Sequence, residues 1–286
     1  MRVVNFEGRL GLDVVGRFVD VEQASQGRIP SDPMGAFAAW PELRRLASEQ
    51  TVGDAGRLIL PERLGPPVPR PTQVFAIGLN YRDHAEEAGL PIPAQPMVFT
   101  KFPSCLAGPC ADVPLTSDRV DWEVEQVVVI GRETHRVRAS SAWEHVAGFC
   151  VGQDVSDRAL QFADKPPQFS LGKSAPAFGP IGPALVSLDE FADRDEMKLR
   201  CWIDGESVQD SSTKNLIFGV PDLIVHLSRY CVLRPGDLIF TGTPGGVGSV
   251  RNPRRYLKPG ETIVSEIEGI GRLTNRCVPE TGGAGT

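Results

Sequence analysis

The pattern that most restricts the fold of this chain is a series of short, β-rich runs separated by turn residues. The runs VFAIGL, MVFTK, VEQVVVIG, VAGFCVG, ALVSL, LRCWID, DLIFTG and TIVSEIE follow one another between Gly, Pro and Asp turns. Helical periodicity is sparse among them and is confined to residues 83–88 and 219–231. Because the strands do not alternate with helices, a doubly wound α/β fold is disfavoured. The pattern predicts a β-rich α+β fold, built as a roll or sandwich.

The first part of the chain has a different character and predicts a small separate unit. Its opening reads as short strands around Gly turns, and DPMGAFAAWPELRRLASEQ reads as a helix that tolerates Pro41 in its first turn. The Pro-rich stretch LGPPVPRPTQ, residues 64–73, then reads as a stiff connector that is largely unable to join a sheet. We expect three parts: a small N-terminal α+β domain over 1–70, a catalytic domain over 71–280, and a disordered tail over 281–286.

Composition narrows the class of protein. A net charge of −6 and a pI near 5.4 argue against a general nucleic-acid or anionic-membrane binder. The first residues contain no apolar signal-peptide core, and no apolar stretch approaches membrane-spanning length. Six scattered cysteines without a C-x-x-C pair suit reduced thiols better than a disulfide framework or a zinc site. These features predict a cytoplasmic enzyme or binding protein.

An acidic alternation precedes one of the most apolar runs. In VDWEVEQVVVIG, residues 120–131, Asp121, Glu123 and Glu125 lie two apart, so an extended strand places all three carboxylates on one face. Like charges on one strand face repel. One interpretation is a solvated face, or inward charges that protect a sheet edge from pairing.

A second interpretation is a site for a divalent cation. A further strand-like run, VGQDVSDRALQ, ends in Asp154. Together with Glu123 and Glu125 this gives an all-oxygen ligand set, which hard cations such as Mg²⁺ or Mn²⁺ prefer. Three carboxylates that meet in a cleft need such an ion, since otherwise they raise one another's pKa.

Several motifs together resemble the fumarylacetoacetate hydrolase superfamily. IGLNYRDHAEE, DWEVEQ, VAGFCVGQDVSDR, LGKS, PGDLIFTGTPGGVG and IEGIGRL occur in that family's order between residues 72 and 278. The resemblance implies a mixed β-sandwich roll, a homodimer, and an enzyme dependent on Mg²⁺ or Mn²⁺ that acts on 2-oxo or enolic carboxylic acids. It implies Glu123, Glu125 and Asp154 as metal ligands, with Asp121 as a neighbour of the site.

The family's lid segment corresponds to GLNYRDHAEE. His84 and Glu87 lie three apart, so on a short helix they share a face and can hydrogen-bond. A carboxylate that orients an imidazole gives a general base that works near neutral pH. The resemblance therefore implies His84 and Glu87 as a catalytic dyad on a lid that closes over substrate.

Other motif residues are candidates for substrate contacts. Lys173 in FSLGKS does not belong to a phosphate loop, because the Walker pattern requires glycine where this chain has Pro167. The resemblance instead implies that Lys173 stabilises a developing enolate or oxyanion. Arg158 and Gln161 are candidates for polar contacts to substrate, although Arg158 could equally pair with a local carboxylate.

The Gly-rich loop TGTPGGVG, residues 241–248, follows a strand, but no helical pattern follows it. It is therefore not a dinucleotide-binding fingerprint. The resemblance implies that Thr243 donates a hydrogen bond to a substrate carboxylate, and a purely structural loop is the alternative. The basic run RNPRRYLKPG just beyond it is expected to be a solvated loop.

The chain departs from the family around Lys173, where the commonly Trp-containing stretch reads QFSLGKSAPAFGP, and at two further positions. A leucine usually follows the second strand glutamate, where this chain has Gln126, and the usual DVSAR is DVSDR here, with Asp157.

The resemblance leads us to expect carbon–carbon bond hydrolysis of an acylpyruvate-type substrate. The alternatives are isomerisation of a 2-hydroxyhepta-2,4-diene-1,7-dioate, decarboxylation of an oxaloacetate-like acid, and a metal-stabilised binding protein without activity.

Overall fold

A computed structural model describes residues 1–50 and 56–280, so the predicted tail over 281–286 lies outside the described residues. Eighteen strands and six α-helices are assigned within them. The strands are β1 Arg2–Phe6, β2 Arg9–Val14, β3 Arg17–Asp20, β4 Leu64–Gly65, β5 Val74–Gly78, β6 Met97–Thr100, β7 Leu106–Ala107, β8 Val113–Leu115, β9 Val120–Asp121, β10 Val124–Ile130, β11 Val146–Gln153, β12 Ser156–Asp157, β13 Gly179–Ser187, β14 Lys198–Ile203, β15 Glu206–Ser212, β16 Leu238–Phe240, β17 Thr262–Ile267 and β18 Gly271–Pro279. The helices are α1 Val21–Ala24, α2 Trp40–Glu49, α3 Arg82–Glu87, α4 Arg158–Gln161, α5 Phe169–Gly172 and α6 Val220–Ser228.

Two sheets form the body of the molecule. The larger has eleven strands with the central order β3-β2-β1-β13-β11-β10-β16-β5-β6, and β4 and β7 pair with β1 and β13 beside this path. A five-stranded sheet has the order β15-β14-β17-β18-β8. Apolar side chains of β10 and β11 meet those of β14 and β17 in one hydrophobic cluster between the sheets. The predicted β-rich sandwich roll is confirmed.

The apolar run of β10 is continuous because both faces of this strand are buried. Val124, Val128 and Ile130 belong to the cluster between the sheets. Val127 and Val129 point the other way, into a second cluster that α2 and the first strands cover. A central strand with two buried faces has no solvent side on which polar residues would alternate. The sequence run therefore reflects position in the middle of the fold.

The N-terminal strands extend the large sheet. β1 pairs antiparallel with β13 through Val3 and Leu185, and also pairs with β4. The connector prediction was wrong for Leu64 and Gly65, which form β4 before the first proline of the stretch. The predicted boundary at residue 70 stays a prediction.

The predicted helices are present but shorter than their sequence patterns. The helix expected before residue 50 is α2 alone, with Pro41 in its first turn, and a separate 3₁₀ turn over Pro33–Ala36 precedes it. α6 begins after Gly219, whose backbone N–H donates to the Asp222 carboxylate and so caps the helix. Within the described ranges, every helix falls short of the length and apolarity that crossing a bilayer demands.

Candidate active site

Three carboxylates converge where β10 and β11 leave the large sheet. Glu125 lies on β10 opposite Gly152 of β11, and Asp154 follows the end of β11. The backbone N–H of Asp154 donates to the carbonyl oxygen of Glu123, 2.8 Å away, which holds these two residues side by side. One carboxylate oxygen from each of Glu123, Glu125 and Asp154 lies within 4.8 Å of the others, and all three residues are buried.

Cationic side chains surround the carboxylates. The ammonium of Lys173 donates to Glu123 at 2.8 Å, to Asp154 at 2.7 Å and to the hydroxyl of Ser156 at 2.8 Å. Arg158 donates to the other oxygen of Glu123 at 2.6 Å. Burial alone would raise the pKa of Glu123, but the charges of Lys173 and Arg158 hold that pKa below its ordinary value. Glu123 is therefore an ionised group with two cationic partners.

The pKa of Glu125 is shifted in the opposite direction to that of Glu123. The donor to its carboxylate is the backbone N–H of Gly242, at 2.7 Å, and the positive φ of Gly242 (+98°) suits glycine at this close approach. Burial and the negative charges of Asp154 and Glu123 raise the pKa of Glu125 well above its ordinary value. A buried carboxylate between two others is the group that a divalent cation would pair with. The donor set and its charge thus fit an oxygen-preferring cation such as Mg²⁺ or Mn²⁺.

Asp121 does not share the face of the other acids. It ends β9, and its fully buried carboxylate accepts from the Nε of Arg158 at 2.9 Å and from the backbone N–H groups of Gly248 and Ser249. It therefore ties the Gly-rich loop to Arg158, in keeping with the expected place beside the acidic cluster. The single strand face expected for all three acids was wrong, because the chain leaves β9 before β10 begins.

His84 and Glu87 lie on one face of α3 without a hydrogen bond between them. Nδ1 of His84 is 3.9 Å from the Glu87 carboxylate, and Nδ1 is buried without a hydrogen-bond partner among the described residues. The carboxylate instead accepts from the backbone N–H of Gly246 at 2.7 Å. The expected hydrogen-bonded dyad is thus not formed in this arrangement. Burial lowers the pKa of His84 from its ordinary value of 6.5, which favours the neutral imidazole.

The residues expected to contact substrate, Arg158, Gln161 and Thr243, all have hydrogen-bond partners within the protein. Arg158 pairs with Asp121 and Glu123, and it also donates to the amide oxygen of Gln161 at 2.8 Å. Of the two interpretations of Arg158, pairing with local carboxylates is the one observed. The hydroxyl of Thr243 donates to the carbonyl oxygen of Val124 at 2.9 Å, so its proton is not directed at the cavity.

A cavity of about 230 Å³, called the main cavity below, opens onto this cluster. His84, Glu123 and Lys173 line it together, and its remaining wall is mainly apolar. The cavity therefore combines a few polar groups with a largely hydrophobic lining, an arrangement that small-molecule sites commonly have. Arg158, Gln161 and Thr243 also line this cavity.

Sequence reasoning missed Lys101. This lysine ends the run MVFTK, and its fully buried ammonium donates to Asp154 at 2.7 Å. The available signal was a lysine directly after an edge strand, which is too common to single out a site.

Asp157 stands where the family usually has alanine, and local structure explains it. Its carboxylate accepts from the backbone N–H groups of Ala159 and Leu160 and caps α4.

Comparison with known proteins supports a family relationship over most of the chain. The family model described as fumarylacetoacetate (FAA) hydrolase C-terminal matches residues 73–278. The mitochondrial oxaloacetate tautomerase FAHD2A of Homo sapiens is 44% identical over 214 residues, which are 74% of this chain and 68% of that protein.

Solved structures match nearly the whole chain. An HpcE-like protein from Mycobacterium smegmatis has a TM-score of 0.92 and 47% identity, covering 98% of this chain and 100% of the other. Maleylpyruvate hydrolase from Sphingobium sp. SYK-6, solved with manganese(II) ion and pyruvate, has a TM-score of 0.81 and 26% identity, covering 98% and 99% of the two chains. The chain is an enzyme that belongs to the fumarylacetoacetate hydrolase family.

Proposed function

We propose that the protein is a divalent-metal-dependent enzyme that interconverts the keto and enol forms of a 2-oxo carboxylic acid. The observation that carries this proposal is that one cavity is lined by Lys173, by the buried imidazole of His84 and by Glu123, which belongs to the three-carboxylate cluster. Tautomerisation needs a proton acceptor and stabilisation of negative charge on an oxygen. The 44% identical relatives named oxaloacetate tautomerases support the same reaction class.

Glu123, Glu125 and Asp154 would hold the cation, with Mg²⁺ or Mn²⁺ suited to their oxygens. When bound, the cation supplies Lewis-acid polarisation of the substrate's 2-oxo group. His84 removes the proton from the carbon next to that group, because its neutral imidazole has a free nitrogen acceptor. Lys173 pairs with Glu123 and lines the same cavity, so its ammonium is available to compensate negative charge on the substrate oxygen. The same imidazole then delivers the proton to the 2-oxo oxygen, which gives the enol, and the reverse sequence of transfers gives the keto acid.

Hydrolysis of an acylpyruvate carbon–carbon bond is the second candidate. Its specific support is that Glu87 already shares a helix face with His84, 3.9 Å from Nδ1. A small movement of the Glu87 side chain would orient the imidazole as a base for water. Decarboxylation of an oxaloacetate-like acid produces an enolate, and isomerisation of a dienedioate passes through one, so product analysis has to distinguish the four reactions.

The deciding experiment uses chelator-treated protein with enol oxaloacetate and with acetylpyruvate. Enol absorbance is followed with added Mg²⁺, with Mn²⁺ or with neither, after subtraction of the rate without protein, and the products are identified by NMR. We expect metal-dependent formation of the keto acid. Accumulation of pyruvate with a carboxylic acid would establish hydrolysis instead, and pyruvate with carbon dioxide would establish decarboxylation.

Two histidine variants complete the test. We expect His84→Ala to lose at least about a hundredfold in kcat, the usual contribution of a general base. His135→Ala, which changes an exposed histidine outside the main cavity, should match the wild type. Turnover that is insensitive to both the metal and His84 would overturn the proposal.

A further inference from the structure

Three phenylalanine rings form a cluster in the lining of the main cavity, called the phenylalanine cluster below. Phe99 belongs to β6, Phe162 follows α4, and Phe169 begins α5, so three segments contribute one ring each. The Phe169 ring meets the Phe99 ring edge to face, with centroids 5.5 Å apart and planes at 70°. It meets the Phe162 ring in the same manner, at 6.0 Å and 73°. Aromatic pairs prefer this geometry, and further rings can join such a cluster in the same way.

The phenylalanine cluster lies next to the polar groups of the cavity. The ammonium nitrogen of Lys173 is 5.2 Å from the centre of the Phe99 ring. The same ammonium donates to Glu123 at 2.8 Å. A 2-oxo acid whose oxygen approaches Lys173 would therefore place the substituent on its next carbon within reach of an aromatic ring, inside the same cavity.

Apolar side chains of this cavity lining are exposed to solvent. Phe162 is 55% exposed, Leu90 is 53% exposed and Met97 is 44% exposed, although all three line the main cavity. Single exposed apolar residues are ordinary, whereas several that gather at one cavity indicate a binding surface. A bound apolar group would remove part of this surface from water, and the gain grows with the apolar area that is covered.

The cations that line the main cavity already have carboxylate partners. Arg158 pairs with Asp121 and Glu123. Lys173 pairs with Glu123 and Asp154. A second carboxylate on the substrate would thus find no uncompensated side-chain cation among the described residues that line this cavity. Contact with phenyl rings would leave such a carboxylate without a hydrogen-bond donor, which is costly for a buried charge, whereas an uncharged ring has no such cost.

We propose that the substrate is a 2-oxo acid with an aromatic ring on the carbon next to its oxo group, and that the phenylalanine cluster binds this ring. The inference rests on the proposed function for the position of the reacting end. The proton leaves the carbon that bears the ring and is delivered to the 2-oxo oxygen, so no co-reactant is needed. The cavity volume of about 230 Å³ suits a single ring joined to a pyruvate unit, since sites for larger, drug-sized ligands occupy about 300–1,000 Å³.

The test separates binding from turnover with oxamates, in which nitrogen replaces the carbon that loses its proton. Calorimetry on the Mn²⁺-loaded protein compares oxamate, N-phenyloxamate and N-(carboxymethyl)oxamate. Turnover is followed by NMR as deuterium incorporation next to the oxo group of phenylpyruvate in heavy water, after subtraction of the rate without protein. The variants are Phe162→Ala and the double variant Phe162→Ala with Phe169→Ala. Phe102→Ala is the matched control, because Phe102 is 47% exposed and lies outside the main cavity.

We expect the wild type and Phe102→Ala to bind N-phenyloxamate at least about tenfold more tightly than either other oxamate, because only its ring gains apolar contacts. The double variant should bind N-phenyloxamate at least about tenfold more weakly and keep its affinity for oxamate. Phe162→Ala, which changes a half-exposed side chain, should show part of this loss.

The inference would be overturned by a wild type without preference for the phenyl compound, by equal weakening of oxamate and N-phenyloxamate in Phe162→Ala, or by no weakening in the double variant. Selective binding of N-phenyloxamate without deuterium incorporation would support the ring site while refuting the proposed function. Failure of the metal-loaded protein to bind any of the three oxamates would refute both.

Discussion

The ammonium nitrogen of Lys101 lies 2.7 Å from Oδ1 of Asp154, and both side chains are wholly buried. The same ammonium donates to the backbone carbonyl oxygens of Lys173 and Phe178. The ammonium of Lys173 donates to the other carboxylate oxygen of Asp154, Oδ2. Lys101 therefore holds Asp154 from one side and the backbone of Lys173 from the other, and it links two parts of the active site that are distant in the chain.

Replacing Lys101 with methionine should destabilise the metal-free protein strongly. The change leaves the Asp154 carboxylate buried without this cation, and breaking one side of a buried ion pair costs about 3–5 kcal/mol. Urea unfolding of Lys101→Met measures the loss. Lys214→Met is the control, since Lys214 pairs with Glu196 at an exposed position and such pairs contribute about 0–1 kcal/mol. Similar losses in the two variants would contradict the structural role of Lys101.

In the metal-free protein, Glu125→Gln and Glu123→Gln should change the free energy of unfolding in opposite directions. Glu125→Gln removes repulsion from Asp154 and Glu123, so the free energy of unfolding should rise by on the order of 1 kcal/mol. Glu123→Gln leaves Lys173 and Arg158 without a shared partner and should lower it by about 3–5 kcal/mol.

Added Mn²⁺ provides the second readout for these two variants. Saturating cation should stabilise the wild type by about 2.7 kcal/mol at a hundred times its Kd, through mass action. Neither variant should show this stabilisation by Mn²⁺, which is measured as the rise in thermal unfolding temperature on adding the cation. A Glu125→Gln protein that is less stable without metal, or that keeps the full shift, would show that Glu125 is not part of the cation site.

The pH dependence of kcat/KM should show an acidic limb that belongs to His84. Burial lowers the pKa of this imidazole from 6.5, so it is the neutral base at neutral pH and becomes protonated only below that value. Activity should therefore fall as the pH decreases through a midpoint below 6.5. A midpoint above 6.5, or an unchanged limb in the residual activity of His84→Ala, would assign the titration to another group.

Gln126→Leu should stabilise the protein. Both polar atoms of the Gln126 amide are buried without a hydrogen-bond partner among the described residues, in a side chain that is 1% exposed. An unsatisfied buried polar group costs about 1–3 kcal/mol, and leucine carries no polar atom that needs a partner. The control is Gln161→Leu, which removes the oxygen that Arg158 binds and should destabilise. A loss of stability in Gln126→Leu, measured by urea unfolding, would refute this account.

Local sequence patterns were sufficient for the architecture and for much of the helix placement. Turn-bounded apolar runs became strands of two packed sheets, and the sparse helical patterns became α3 and α6. The patterns could not show that β1 pairs with β13, because pairing between distant strands depends on register in the assembled sheet. They also predicted too long a helix before residue 50. The segment is divided there into a 3₁₀ turn over Pro33–Ala36, which Asp32 caps, and the separate helix α2.

At the site, the spacing of the acids and the position of Asp154 made a carboxylate cluster one of two interpretations, and the family resemblance selected it. Their meeting within 4.8 Å follows from the antiparallel pairing of β10 and β11. The sequence could not show that Glu87 bonds the Gly-rich loop instead of His84, or that Lys101 completes the charge balance. Residue types and spacing determine which charges are available, whereas burial and contacts between distant segments decide which of them pair, because the strength of a charge interaction depends on desolvation and distance in the folded chain.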